Sequence, residues 1–86
     1  MKHFVYILYS ELHDKYYKGY STAPYKRLEQ HNTGESRYTR TFLPWIIVYL
    51  ELLPDKTSAL KREKSLKKYA KNQIKALMLS PKKNLN

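Results

Sequence analysis

His3-Phe4-Val5-Tyr6-Ile7-Leu8-Tyr9-Ser10 and, after the polar connection Glu11 to Lys15, Tyr16-Tyr17-Lys18-Gly19-Tyr20 are the stretches that decide the fold. Both alternating faces of the first are apolar, with Phe4, Tyr6 and Leu8 on one side and Val5, Ile7 and Tyr9 on the other. A strand buried on both sides reads this way. The connection has hairpin length, so the second stretch is the returning strand. Gly19 interrupts it, which marks a backbone approached closely by something else.

Downstream, Ser21 or Thr22 is placed to cap a helix over about Pro24 to Asn32, with Pro24 in its first turn and Gly34 just past its end. That helix sets Arg27 and His31 one turn apart on one face. Thr33 to Pro44 is a basic loop carrying Arg37, Tyr38 and Arg40, and Trp45 to Leu53 is a third strand closed by Pro54 and Asp55. Thr57 or Ser58 caps a longer helix through about Tyr69, and a shorter one over about Asn72 to Leu79 precedes Pro81. The expected order is β-β-α-β-α-α. This is an α+β fold, a small three-stranded antiparallel sheet flanked by helices. One domain over residues 1–80 is expected, with a flexible tail at 81–86.

Composition narrows the function. The chain has 86 residues, 17 Lys+Arg against 7 Asp+Glu, and a formal charge of +10. A chain this short makes one domain with a thin core, burying only ~60% of its unfolded surface. Absence of Cys excludes disulfides, thiolate metal sites and thiol nucleophiles. The three His lack the spacing of a zinc helix. The longest apolar run, Phe4 to Tyr9, is about a third of the ~20 residues that cross a bilayer, and no secretory cleavage signature follows it. A soluble, cytoplasmic protein with no membrane partner is expected. Residues 1–53 hold 7 basic and 5 acidic side chains, residues 54–86 hold 10 and 2, so the second part is the electrostatic footprint. Nine Tyr accompany that charge. Basicity with many aromatics points to nucleic acid, although strand-filling tyrosines and a solvated lysine helix produce part of the same pattern.

One carboxylate stands out. On a helical wheel of the second helix, Leu66, Ala59, Ala70 and Leu60 mark out one apolar arc, and Glu63 falls inside it, between Ala70 and Leu60. Lys64, Lys68 and Lys61 take the other side. A lone inward carboxylate needs a cation or a function. It is either an ion pair to a Lys or Arg of the sheet or first helix, or a ligand for a hard divalent cation.

Taken together, Phe4-Val5-Tyr6, Tyr17-Lys18-Gly19, Arg27 ten residues after Tyr17, His31 one turn later and Glu63 on a downstream helix resemble the GIY-YIG nuclease family. That family includes the N-terminal incision domain of the excision-repair excinuclease. The resemblance covers about His3 to Leu79 and is greatest to the short bacterial branch in which the nuclease domain stands alone. Phe4 and Val5 replace the first signature glycine and isoleucine, and Lys18 occupies the middle of the second triplet, where it could add a phosphate contact. Some members also use a C-terminal Asn, for which Asn72 and Asn84 are the candidates.

The resemblance implies a metal-dependent endonuclease of DNA, structure-selective or weakly selective, in DNA repair or processing. Its catalytic residues would be Tyr6, Tyr17, Arg27, His31 and Glu63. Glu63 would hold one Mg²⁺ or Mn²⁺, with waters and a phosphate oxygen completing the octahedron. Arg27 offers a fixed fork of donors to phosphate. Tyr17 is the implied general base, with Tyr6 orienting the water or sharing the role. A free phenol has a pKa of about 10, so a phenolate at neutral pH costs about 4 kcal/mol unless positive charge favours it. His31 either accepts the proton from Tyr17, bonds a nonbridging oxygen, or simply ends its helix. Lys18, Arg37, Tyr38, Arg40, Lys64, Lys67 and Lys68 would grip the nucleic acid without reading sequence. The competing reading is a non-catalytic nucleic-acid-binding module, on DNA or RNA, that keeps the fold. An intact set of Tyr17, Arg27, His31 and Glu63 argues against it.

Overall fold

β1 (His3–Ser10) takes the centre of the sheet because both of its faces are apolar, and Val5, Tyr6, Ile7 and Leu8 are all buried. It pairs antiparallel with β2 (Lys15–Ser21) on one side and β3 (Ile46–Leu53) on the other, giving the order β2-β1-β3. The register aligns Tyr6 with Gly19 and Leu8 with Tyr17, so these four share one face. Ile7 and Lys18 share the other. These details come from a computed structural model that describes residues 1–79. The tail expected at 81–86, and Asn84 with it, lie outside the described residues. The architecture is the expected α+β fold in the order β-β-α-β-α-α, with a 3₁₀ turn at Thr39–Phe42 in the basic loop. Among the described residues no helix is long and apolar enough to cross a membrane.

Each sheet face has its own core. Val5, Ile7 and Tyr49 meet Ala59 and Leu66 of α2 (Lys56–Leu66) and Ile74 of α3 (Lys71–Met78). On the opposite face, Tyr6, Leu8, Trp45 and Leu50 gather Tyr17, Phe42 and Leu28 of α1 (Pro24–Asn32).

Beside one-residue shifts at the ends of β2 and α3, four differences from expectation have a local reason. Ser21 Oγ accepts from the Ala23 N–H (2.9 Å), so Ser21 braces the turn before α1 while Ala23 occupies the cap position. Trp45 stays out of β3 because its N–H goes to Asn32 Oδ1 (2.7 Å), and its carbonyl accepts from Asn32 Nδ2 (3.0 Å). Asp55, not Thr57 or Ser58, caps α2: its carboxylate accepts from the Ser58 N–H at 2.7 Å. α2 ends at Leu66 rather than near Tyr69, because the chain turns there and brings Tyr69 onto the core.

The inward arc of α2 is also rotated from the expected one. Leu60 is 43% exposed, whereas Arg62 is tucked onto the sheet. Its Nε donates to Glu51 Oε1 at 3.0 Å, and the buried Tyr49 hydroxyl donates to the same oxygen at 2.6 Å. The inward arc thus runs from Arg62 on one flank, through Leu66 and Ala59, to Glu63 on the other. A sheet carboxylate, Glu51, draws the guanidinium inward and turns Leu60 out.

Candidate active site

Gly19 is where the site begins. Its φ is ordinary, so the glycine answers to space: a Cβ there would meet Tyr6 Cζ and Oη at 2.5 Å. The missing side chain lets the Tyr6 ring lie directly against the backbone of β2. Gly19→Ala should therefore displace the Tyr6 ring, costing roughly 1–3 kcal/mol as overpacking does. The melting temperature should fall by about 4–8 °C for each kcal/mol. An unchanged melt would mean that the strand yields freely.

Tyr6 is buried, and its hydroxyl lies 3.3 Å from His31 Nε2. His31, fully buried near the end of α1, sets its Nδ1 2.7 Å from Thr39 Oγ1. Trp45 Nε1 donates to the Thr39 carbonyl at 2.7 Å, fixing the residue that fixes the histidine. A neutral imidazole has one donor and one acceptor nitrogen, so Tyr6, His31 and Thr39 form a polarised chain that can run in either direction. Burial, then the Arg27 charge, pushes His31 below the usual histidine value, which keeps it neutral at neutral pH. Burial, reinforced by Tyr17, pushes the Tyr6 phenol up to about 12, although Arg27 opposes the rise.

Tyr17 is half-buried, with its ring centroid 4.9 Å from that of His31 and 6.3 Å from that of Tyr6. Arg27 is also half-buried, and its Nη1 donates to Gln30 Oε1 at 2.8 Å, which aims the guanidinium along α1. Its charge bears on both Tyr6 and His31. Glu63 keeps 20% of its side chain exposed and its charge reaches Tyr6. Its ion-pair partner is Lys67 of the turn that ends the same helix, at 3.5 Å, not a cation of the sheet or first helix.

Tyr6, Tyr17, Arg27 and His31 thus converge on one face of the sheet, and the Glu63 charge bears on Tyr6. The basic residues are more dispersed. Lys18 projects from the opposite face to Tyr17, half-buried, with burial lowering its pKa. Arg37, Tyr38 and Arg40 are exposed on the loop beside Tyr17, and Lys64, Lys67 and Lys68 lie on or just beyond α2. Asn72 is exposed on α3. Asn32 and Thr39, which anchor this corner, gave no chemical signal in sequence because their roles depend on contacts across the fold.

A divalent cation can be tested against these donors. Among the described residues no three His, Cys, Asp or Glu side chains cluster. Glu63 alone supplies a hard, partly exposed oxygen, which suits an ion that keeps its waters and takes a phosphate oxygen as Mg²⁺ does. The residues fit such an ion in the presence of substrate, and fit a tightly held resident ion poorly.

The family model of the GIY-YIG catalytic domain matches residues 2–75 of the chain. A UPF0213 protein of Staphylococcus haemolyticus is 36% identical over 73 residues, covering 84% of this chain and 88% of the relative. Another from Haloquadratum walsbyi is 37% identical over 73 residues, covering 83% and 80%. The solution NMR structure of a UPF0213 protein from Bacillus halodurans superposes with a TM-score of 0.59 at 29% identity, over 95% of this chain and 87% of that one.

Proposed function

The chain belongs to the GIY-YIG family, whose domain is a nuclease fold, and on that premise we propose that it is a DNA endonuclease assisted by Mg²⁺ or Mn²⁺. A single domain over residues 1–80 acts on DNA in the cytoplasm, in repair or processing of branched, nicked or single-stranded forms. The observation that supports this most is the convergence of Tyr17, Arg27 and the Tyr6–His31–Thr39 chain where Gly19 opens the sheet, with Glu63 near enough to act on Tyr6.

Tyr17 is the general base. It is the tyrosine accessible to a phosphodiester, and its hydroxyl takes the proton of the attacking water. Tyr6 remains a phenol, since burial opposes its ionisation, and its hydroxyl orients that water or a phosphate oxygen. Neutral His31 holds Tyr6 in place. Arg27 presents two parallel donors to the nonbridging oxygens and bears the charge that grows on them. Glu63 would hold the divalent ion, which when bound supplies further stabilisation of that charge.

Labelled flap, fork, nicked and single-stranded DNAs incubated with Mg²⁺ or Mn²⁺ test the reading, and metal-dependent cutting of at least one is expected. Affinity should fall with salt at a log–log slope of about −4 to −5 if roughly five phosphates are neutralised. Salt-sensitive binding with no cutting of any substrate would leave the binding module as the reading.

A further inference from the structure

A second group of aromatic side chains continues outward from Tyr17. The Tyr38 ring lies 6.4 Å from that of Tyr17, the Phe42 ring 5.4 Å beyond Tyr38, and the His13 ring meets Phe42 edge-on at 5.4 Å. The strip joins the β1–β2 hairpin to the loop after α1. It is anchored from beneath, because Trp45 packs edge-on to Phe42 at 6.3 Å and is itself tied to Thr39 and Asn32.

Burial along the strip is uneven. Trp45 is 2% exposed, whereas Tyr38 is 56% exposed. A loop that only needed to close its own core would turn Tyr38 inward as it does Trp45. Phe42 is not the open platform, since Lys15 Nζ already sits 5.8 Å from its centroid. Exposed Arg37 and Arg40 flank Tyr38 in the chain and Lys15 lies over the adjoining Phe42, and among the described residues none of the three is in an ion pair. An exposed, braced aromatic face bordered by unneutralised cations is complementary to a base with its phosphates. Bases inside a duplex present no free face, so the complement is an unpaired one.

We infer that Tyr38, backed by Phe42, is a stacking site for one unpaired DNA base beside the phosphate that Tyr17 and Arg27 face. This rests on the nuclease reading for the position of the phosphate and narrows the substrate to DNA with a single-stranded segment at the cut. Arg37 and Arg40 contact the phosphates that flank the stacked base, and Lys15 braces Phe42.

Fluorescence anisotropy in EDTA reads binding apart from cleavage, using a labelled single strand, a flap and a blunt duplex. Tyr38→Ala should weaken the single strand and flap about 10-fold, the worth of one stacked base, and leave the blunt duplex unchanged. Tyr38→Phe should bind as wild type does, and Tyr38→Leu, which keeps apolar bulk without a π-face, should behave as Ala does. Arg37→Ala with Arg40→Ala should weaken the single strand and flap and make their binding less salt-dependent. Equal loss on all three DNAs with Tyr38→Ala, or no loss on any, would overturn the stacking site. A protein that shows the selective loss but cuts nothing would keep this site and sink the nuclease reading. One that cuts flaps while Tyr38→Ala binds and cuts as wild type does would do the reverse.

Discussion

Glu63→Ala should abolish cleavage while the protein stays folded and keeps its DNA. The carboxylate is a hard oxygen donor whose charge bears on Tyr6, and no cluster of other metal-ligating side chains exists among the described residues to replace it. Activity should therefore fall to background at any accessible Mg²⁺ or Mn²⁺ concentration. Binding should hold or strengthen slightly, because a negative charge near the phosphate has been removed. Stability separates this from a structural role. Had Glu63 been locked to a buried cation, its loss would cost roughly 3–5 kcal/mol. Its partner is instead Lys67, one helical turn away at 3.5 Å with 60% of its side chain exposed, and such pairs contribute about 0.3–0.5 kcal/mol. The melt should move by no more than a few degrees. Glu63→Gln keeps the shape and the packing and should be equally inactive. A stable variant cutting at the wild-type rate would remove Glu63 from the site.

The extents of β1 and α1 were legible because their signals are local. β1 runs over His3–Ser10 as its two apolar faces imply, and α1 runs over Pro24–Asn32 as Pro24 and Gly34 imply. The inward lean of Glu63 was legible from helical spacing, but its neighbours were not. Arg62 falls next to a lysine-rich face in the chain, and nothing local says that Glu51, eleven residues earlier on β3, will draw it onto the sheet. Likewise His31 could be read as a helix-terminal or a catalytic residue. Only the fold brings Tyr6 to one ring nitrogen and Thr39 to the other, and makes the histidine neutral and buried. Sequence carried the reacting groups, since their chemistry is intrinsic. It did not carry the residues that hold them, since holding is a property of contacts between distant segments.

Those contacts distinguish the two tyrosines. Tyr17→Phe retains the ring 4.9 Å from His31 and removes only the hydroxyl, so packing and DNA affinity should stay near wild type. Cleavage should fall by roughly 10²–10⁴, the usual worth of a general base. Tyr6→Phe removes a hydroxyl from a different environment, because the buried His31 Nε2 then loses its partner. An unsatisfied buried polar group costs about 1–3 kcal/mol, so Tyr6→Phe should lower the melting temperature where Tyr17→Phe does not. The pH profiles should separate them as well. If Tyr17 is the base, any rising limb of the wild-type pH–rate profile should be lost in Tyr17→Phe. Tyr6→Phe should keep the limb at reduced amplitude, since a phenol pushed up to about 12 does not titrate in the working range. The measurement is single-turnover cleavage across pH for both variants, beside their melts. If Tyr17→Phe keeps the rising limb and the rate while Tyr6→Phe loses both, the base is Tyr6, and burial would then have to be relieved when DNA binds.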